Sequence, residues 1–431
     1  MKKLVLSLLL LLAAVGLAAC WGQEEIVQDP NVLDAQEYTP ETVYIGSVLP
    51  LSGNDASRGR LLKAAQETAV EIINESHELD WDLAAAAGIS GYGASRIELV
   101  FADSVGAESA STTAAEAAGD LAKLGVVAVL GAYRSDATAE AAAVAAQAQL
   151  PIISGTAAFS SLTDGESYDF EGWFSRVAPT VEMQSELFFA YVKHLNQTQN
   201  AGVTKIAVAY LDDNYGQEML RSFDQRAESY GLQVVGRLAY KRDANATDLA
   251  GVAQRMMLNQ AQAVFHYGTA AELSYFVNAY SQAQFTPQAA FCYSSIFQTP
   301  TFFGAVQKTG ADYWCGISAM PDDSLNTDST TAPLFNVELY EYINAIYRNK
   351  AGLDMDNEAL YDFAAIIVLA QAMGQAGSTQ GELLREALQD TVFPAPYLAA
   401  GSIAFNEFGQ NTVNTGYVCR LLDDEYQAVF R

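Results

Sequence analysis

The chain has 431 residues, half of them apolar, with 51 acidic against 23 basic side chains and a formal net charge of −28. That balance argues against nucleic acid or an anionic membrane surface as a partner, because phosphate binding needs a basic face. Three histidines and four cysteines without a CxxC leave little material for a metal cluster or a histidine-based catalytic centre.

In chain order, residues 1–19 carry Lys2 and Lys3, then an apolar run from Leu4 to Leu17, then "LAAC" ending at Cys20. This run of 14 residues, broken only by Ser7 and Gly16, is short for a bilayer span, and a charged start with a small-residue end is the pattern of an export signal. "LAAC" also resembles the bacterial lipobox, which implies cleavage before Cys20, lipidation of its thiol and residence on a membrane outer face. An ordinary signal peptide with a chance cysteine is the alternative. Residues 20–41 hold no base and no apolar periodicity and read as an acidic tether. Losing Lys2 and Lys3 takes the formal charge to −30.

The remainder is too long for one ordinary core and fits two lobes. Short Val/Ile-rich runs alternate with helical segments, the form of a parallel sheet covered on both faces. The first series places strands at 42–49, 97–103, 126–131, 151–154 and 173–179, with helices over 60–74, 109–124 and 136–149. The second places strands at 205–211, 232–240, 263–268, 288–293 and 313–320, with helices over 216–230, 247–259 and 271–284. The apolar helix at 360–373 is expected to pack back on the first lobe, and residues 77–95 to form an inserted loop or short helix. With Cys20 assigned, Cys292, Cys315 and Cys419 allow one disulfide; Cys292 with Cys315 is favoured, and three buried thiols are the alternative.

The chain contains no HExxH, no GxSxG, no Walker loop and no GxGxxG after a strand. No catalytic residue, metal or cofactor is therefore assigned, and His77, His194 and His266 are poorly placed to supply one. Ligands of open α/β sheets bind at the carboxyl ends of strands. Four loops qualify: "PLSGNDASRG", "GAYRSDAT", "SGTAAFSSLT" and "LDDNYGQE". Ser135 stands at the mouth of a helix, where it can hold a carboxylate oxygen or act as a plain N-cap.

At these loops, "YIGSVLPLSG", "VVAVLGAYRSDAT", "LPIISGTAAFSSLT", "FSRVAP" and "DDNYGQEM" resemble the type I periplasmic binding proteins of the leucine/isoleucine/valine-binding family over residues 42–422. The resemblance implies two Rossmann-like, doubly wound α/β lobes joined by a three-crossover hinge, closing on a small ligand that passes to an ABC permease. Lobe 1 would take residues 42–177 and 319–404, and lobe 2 residues 178–318 and 405–431. It implies that Ser135 holds a ligand carboxylate with backbone of Thr156 and Ala157, and that Tyr215, beside Asp213, covers the ligand on closure. The family's ammonium-holding hydroxyl aligns with Ala158, two residues after Thr156, and its acid near Ser294 and Ser295. Arg58 and Arg134 are expected at the pocket rim, favouring a ligand with extra negative charge or several acceptor oxygens. The function implied is a lipid-anchored, extracytoplasmic binding component of an importer for an amino acid or related small carboxylate, not an enzyme. A ligand-sensing module for a membrane partner, or a ligand-free envelope regulator on the same fold, are the rivals.

Overall fold

Two sheets, one parallel and one mainly parallel, organise the structure, a computed structural model that describes residues 42–79, 81–105, 113–242, 244–268, 270–293, 297–325, 335–413, 416–422 and 425–431. The export signal, the tether with Cys20, Ser294 and Ser295 lie outside the described residues.

The first sheet holds β1 (Thr42–Leu49), β2 (Arg96–Asp103), β3 (Ala128–Gly131), β4 (Ile152–Ser154) and β5 (Phe174–Arg176), all parallel, in the order β2-β1-β3-β4-β5. Strands β3, β4 and β5 are buried at every residue; β3 (AVLG) accordingly reads as an unbroken apolar run, whereas β4 (IIS) and β5 (FSR) bury polar side chains as well. Helices α1 (Ala56–Asn74), α2 (Asp82–Ala85), α3 (Ala114–Lys123) and α4 (Ser135–Gln147) connect them. Within the 77–95 insertion, Trp81 and Ile89 are buried in the first core, and Trp81 packs on Tyr397 with ring centroids 5.5 Å apart.

The second sheet repeats that order with β6 (Lys205–Leu211), β7 (Gln233–Tyr240), β8 (Ala263–Tyr267), β9 (Ala289–Cys292) and β10 (Trp314–Ser318), parallel as β7-β6-β8-β9-β10. Helices α5 (Val181–Thr198), α6 (Asn214–Ser229), α7 (Ala246–Leu258), α8 (Ala270–Ala283) and α9 (Pro300–Gln307) belong to this half. The chain then returns to the first core with α10 (Val337–Ala351), α11 (Asn357–Ala376) and α12 (Gly381–Asp390), followed by the hairpin β11 (Val392–Ala395) and β12 (Gly401–Ala404). Strands β13 (Tyr417–Leu422) and β14 (Glu425–Phe430) close the second sheet in antiparallel pairing. Helix α11 is long and apolar enough to cross a membrane, yet sixteen of its twenty residues are buried against the first sheet and α1. An all-round apolar helix of that kind is a core helix here.

The passages between the halves lie side by side. Asn357 accepts from Ala319 N (2.8 Å) and donates to Ile317 O (2.9 Å), binding the start of α11 to the second passage. Asn411 donates to Val177 O at 3.1 Å, binding the third passage to the first.

Cys292, Cys315 and Cys419 are all free and buried, so the favoured disulfide does not form. The register gives the reason: Gly316, not Cys315, lies opposite both Cys292 and Cys419. Side chains alternate along a strand, which turns Cys315 to the other sheet face from Cys292. Burial pushes the Cys315 thiol up to about 12, so it stays protonated.

Candidate functional site

The carboxyl ends of both sheets face one cavity, lined from the first half by Ser135 and Thr156 and from the second by Asp213 and Tyr293. In each half the order reverses beside the first strand, between β1 and β3 and between β6 and β8. That is where a doubly wound sheet leaves a crevice.

The first-lobe wall is made by the ends of β3 and β4. Strand β3 stops at Gly131, whose φ of +120° only glycine adopts easily; a Cβ there would lie 2.4 Å from Val48 O. The chain then turns through Tyr133 and Arg134 into α4. Ser135 is the first helical residue, not the N-cap; that position is Arg134, without a side-chain cap bond. The Ser135 hydroxyl is 6 % exposed at the residue level and accepts from Ala158 N (3.0 Å) and Phe159 N (3.2 Å). A hydroxyl has two acceptor lone pairs and one proton, so Ser135 is left as a donor toward the cavity.

Thr156 is its counterpart. Its hydroxyl donates to Tyr133 O (3.0 Å) and Ala132 O (3.3 Å), leaving an acceptor on the cavity side. The expected backbone support differs, because Thr156 N and Ala157 N both donate inward to Ser154 Oγ at 3.3 and 3.0 Å. Ala157 and Ala158 are buried behind the wall. Gly155 permits this loop to touch α11, since a Cβ would fall 2.5 Å from the Asp362 backbone.

Both rim arginines are charge-paired within the protein, which corrects the expectation of surplus positive charge. Arg58 donates to Asp356 at 2.5 and 2.8 Å and pairs with Glu358 at 2.5 Å. Burial works against its charge, but Asp356 and Glu358 raise the guanidinium well above its ordinary value. Arg58 does not line the cavity; Glu358, which it holds, does. Arg134 lines it and pairs with Asp136 at 3.2 Å. Asp356 and Glu358 share the Arg58 guanidinium, and Glu358 brings its carboxylate to the cavity wall.

On the second-lobe wall, Asp213 caps α6 through Gly216 N (2.9 Å) and pairs with Arg242 at 2.9 Å. Leu211, Tyr267, Gly268 and Tyr293 complete it, the two tyrosine rings meeting edge to face at 4.9 Å. Tyr215 is the second residue of α6, and its side chain lies outside the described residues. Across the cleft, Ser161 donates through its N–H (3.2 Å) and hydroxyl (3.0 Å) to Glu218 of α6.

The histidines sit elsewhere. His266 is fully buried beside Tyr280 and Trp314, and burial pushes it down to about 3, so it is neutral. His77 bonds Tyr342 at 2.9 Å, and His194 packs on Phe430. Glu358, Arg242, Phe159, Tyr267 and Tyr293 were not anticipated. Tyr293 and Arg242 closely follow apolar strands and were findable from that position; Glu358 carries no local signal.

Solved structures share this architecture. The LivJ substrate-binding protein of Streptococcus pneumoniae, determined with isoleucine, is 20 % identical, with a TM-score of 0.69 over 90 % of this chain and 98 % of its own. A substrate-binding protein of Desulfitobacterium hafniense, determined with Leu, is 20 % identical, with a TM-score of 0.66 over 90 % and 100 %. A solute-binding protein of R. palustris in complex with 4-hydroxybenzoate is 18 % identical, with a TM-score of 0.67 over 91 % and 96 %. No curated protein sequence matches the chain. The profile of the periplasmic binding protein family matches residues 42–425, nearly everything after the tether, and with its two doubly wound lobes the chain belongs to that family.

Proposed function

We propose that this chain is the extracytoplasmic binding component of an ABC importer, held at the membrane by lipid on Cys20, and that its ligand is a zwitterionic amino acid. One observation carries the ligand class: a donor-only serine at the mouth of α4 and the Glu358 carboxylate line the same cavity. Ser135 suits a carboxylate, with the positive end of α4 behind it. Glu358 and the acceptor of Thr156 suit an ammonium. Among the described residues, Arg58, Arg134 and Arg242 are already paired, so none of them is free to meet a second carboxylate on the ligand. Tyr133, Phe159, Tyr267 and Tyr293 favour an apolar or aromatic side chain.

The aromatic lining also favours a second reading, an aromatic carboxylate without an ammonium. A thermal-shift panel of L-amino acids, dicarboxylates and hydroxybenzoates separates the two. A ligand at 100 times its Kd adds about 2.7 kcal/mol of stability. The zwitterion reading expects an amino acid to stabilise the protein and Glu358→Gln to weaken it; for an aromatic acid the same change strengthens binding. Silence across the panel overturns both. For the anchor, Cys20→Ser should move the protein from the membrane to the soluble fraction, and unchanged membrane retention removes the lipid from the account.

A further inference from the structure

We propose that Tyr133 is a specificity-determining residue of the cleft, and that the ligand side chain carries a neutral hydroxyl or amide that meets the Tyr133 hydroxyl. This deepens the reading that the ligand is a zwitterionic amino acid and rests on it. Tyr133 lines the cavity and is partly exposed there. Its carbonyl accepts from the Thr156 hydroxyl, but its own hydroxyl has no hydrogen-bond partner among the described residues.

The polar groups around it are already engaged. Ser135 accepts from Ala158 N and Phe159 N, Thr156 donates to two carbonyls, and Arg134 with Asp136 and Asp213 with Arg242 form ion pairs. The turn that carries Tyr133 is fixed from both sides. Ala132 O accepts from the Thr138 hydroxyl at 2.8 Å, and Tyr133 O from the Thr156 hydroxyl at 3.0 Å. A tyrosine on a fixed backbone has only two side-chain torsions left to order when a ligand binds, so its hydroxyl is offered at small entropic cost.

The chemistry of the phenol sets the class of group it meets. Burial and the Glu358 carboxylate raise it well above its ordinary value, against the Arg58 charge and with help from Asp55, so it stays a neutral O–H. Such a group donates one hydrogen bond and accepts another. Water can satisfy it while the cleft is open. Once the second wall covers the ligand that water is lost, and an apolar side chain leaves the hydroxyl unpaired. An unmade bond at a buried polar group costs more than an average hydrogen bond gains. The site therefore works against purely aliphatic ligands as well as in favour of polar ones. A hydroxyl or amide answers the phenol without bringing a charge, and Arg58 and Arg134 are already paired.

The test uses pairs of L-amino acids alike in shape and different in hydrogen bonding: tyrosine with phenylalanine, threonine with valine, asparagine with leucine, and glutamine with methionine. Calorimetric affinities are measured on the wild type and on Tyr133→Phe. In at least one pair the polar member should bind the wild type about tenfold tighter than its apolar counterpart, and Tyr133→Phe should bring that pair close to equal. Apolar members ahead in every pair, or a polar preference that survives Tyr133→Phe, overturns the proposal. An equal loss across all eight amino acids assigns the hydroxyl to the shared ammonium or carboxylate and also overturns it. If Tyr133→Phe does not fold, Tyr133→Met carries the same comparison. If no amino acid binds the wild type, the ligand assignment falls; 4-hydroxybenzoate against benzoate then decides the hydroxyl's role by the same ratio, and no preference or no binding there overturns it too.

Discussion

On the first-lobe wall, Ser135 and Thr156 are 6 % and 7 % exposed and each is held by hydrogen bonds from its own lobe. On the second-lobe wall, the Arg242 side chain is 46 % exposed and pairs with Asp213, itself 28 % exposed. The same strand order therefore yields two different surfaces. One is a pre-ordered socket whose polar groups have fixed donor or acceptor roles; the other is a capped helix end with a solvated ion pair and aromatic faces. Pre-ordering the socket lowers what binding must spend on side-chain entropy. On the proposed function the second wall is the cover, as in hinge closure around a ligand.

The largest contrast should come from the arginines. Arg58→Met leaves Asp356 and Glu358, both nearly buried, without their cation, and removing one partner of a buried pair costs about 3–5 kcal/mol. Arg242→Met breaks an exposed pair and should cost below about 1 kcal/mol. Urea unfolding of the two variants measures both. Similar losses would mean that the two walls do not differ in this way.

Behind the socket lies a further buried chain: Ser47 Oγ donates to Gln66 Oε1 (2.7 Å), and Gln66 Nε2 donates to Asp362 Oδ2 (2.7 Å). Burial pushes the Asp362 carboxyl up to about 7, against the Gln66 hydrogen bond and the Arg58 charge, with Glu358 adding to the rise. A carboxyl raised in the folded state keeps a proton that the unfolded chain has released. Its contribution to stability is full below about pH 4 and is lost as pH rises to about 7, with a slope of at most about 1.4 kcal/mol per pH unit. Asp362→Asn should remove that slope and make the protein more stable than wild type at pH 8. Unfolding midpoints at pH 5 and pH 8 check this, and parallel shifts in both proteins would count against it.

Ser135→Ala tests the socket itself. It removes the donor to the ligand and leaves two buried N–H groups, of Ala158 and Phe159, without their acceptor. Both affinity and ligand-free stability should fall, each by about 1–3 kcal/mol. Calorimetric titration and unfolding separate the two losses.

Much of the framework was legible because buried parallel strands announce themselves as Val/Ile runs, and the strand ends then locate the cleft. Helix α5 was not among the expected helices, although Phe188, Val192 and Leu195 recur at helical spacing and are all buried. The site's charges were misread for a physical reason. Arg58 is neutralised by a residue 298 positions away, and sequence order gives no sign of such a pair. Arg134 has its acid two residues on, at Asp136, where the local sequence was sufficient. In "FSRVAP", a lone arginine in a short strand gives no sign that Arg176 is fully buried.

The smallest expected effect lies where the two walls touch. Glu218 of α6 accepts both the N–H and the hydroxyl of Ser161, from the turn after β4, so one carboxylate spans the cleft. The contact is only part-buried, and a net hydrogen-bond contribution of about 0.7 kcal/mol corresponds to about a threefold change in an equilibrium constant. A contact made only when the walls meet holds the closed form together and does little for encounter. Glu218→Ala should therefore raise the dissociation rate of a bound amino acid about threefold and leave the association rate unchanged. Stopped-flow release measures it; an effect on association instead would place Glu218 in the entry path and take it out of the closed contact.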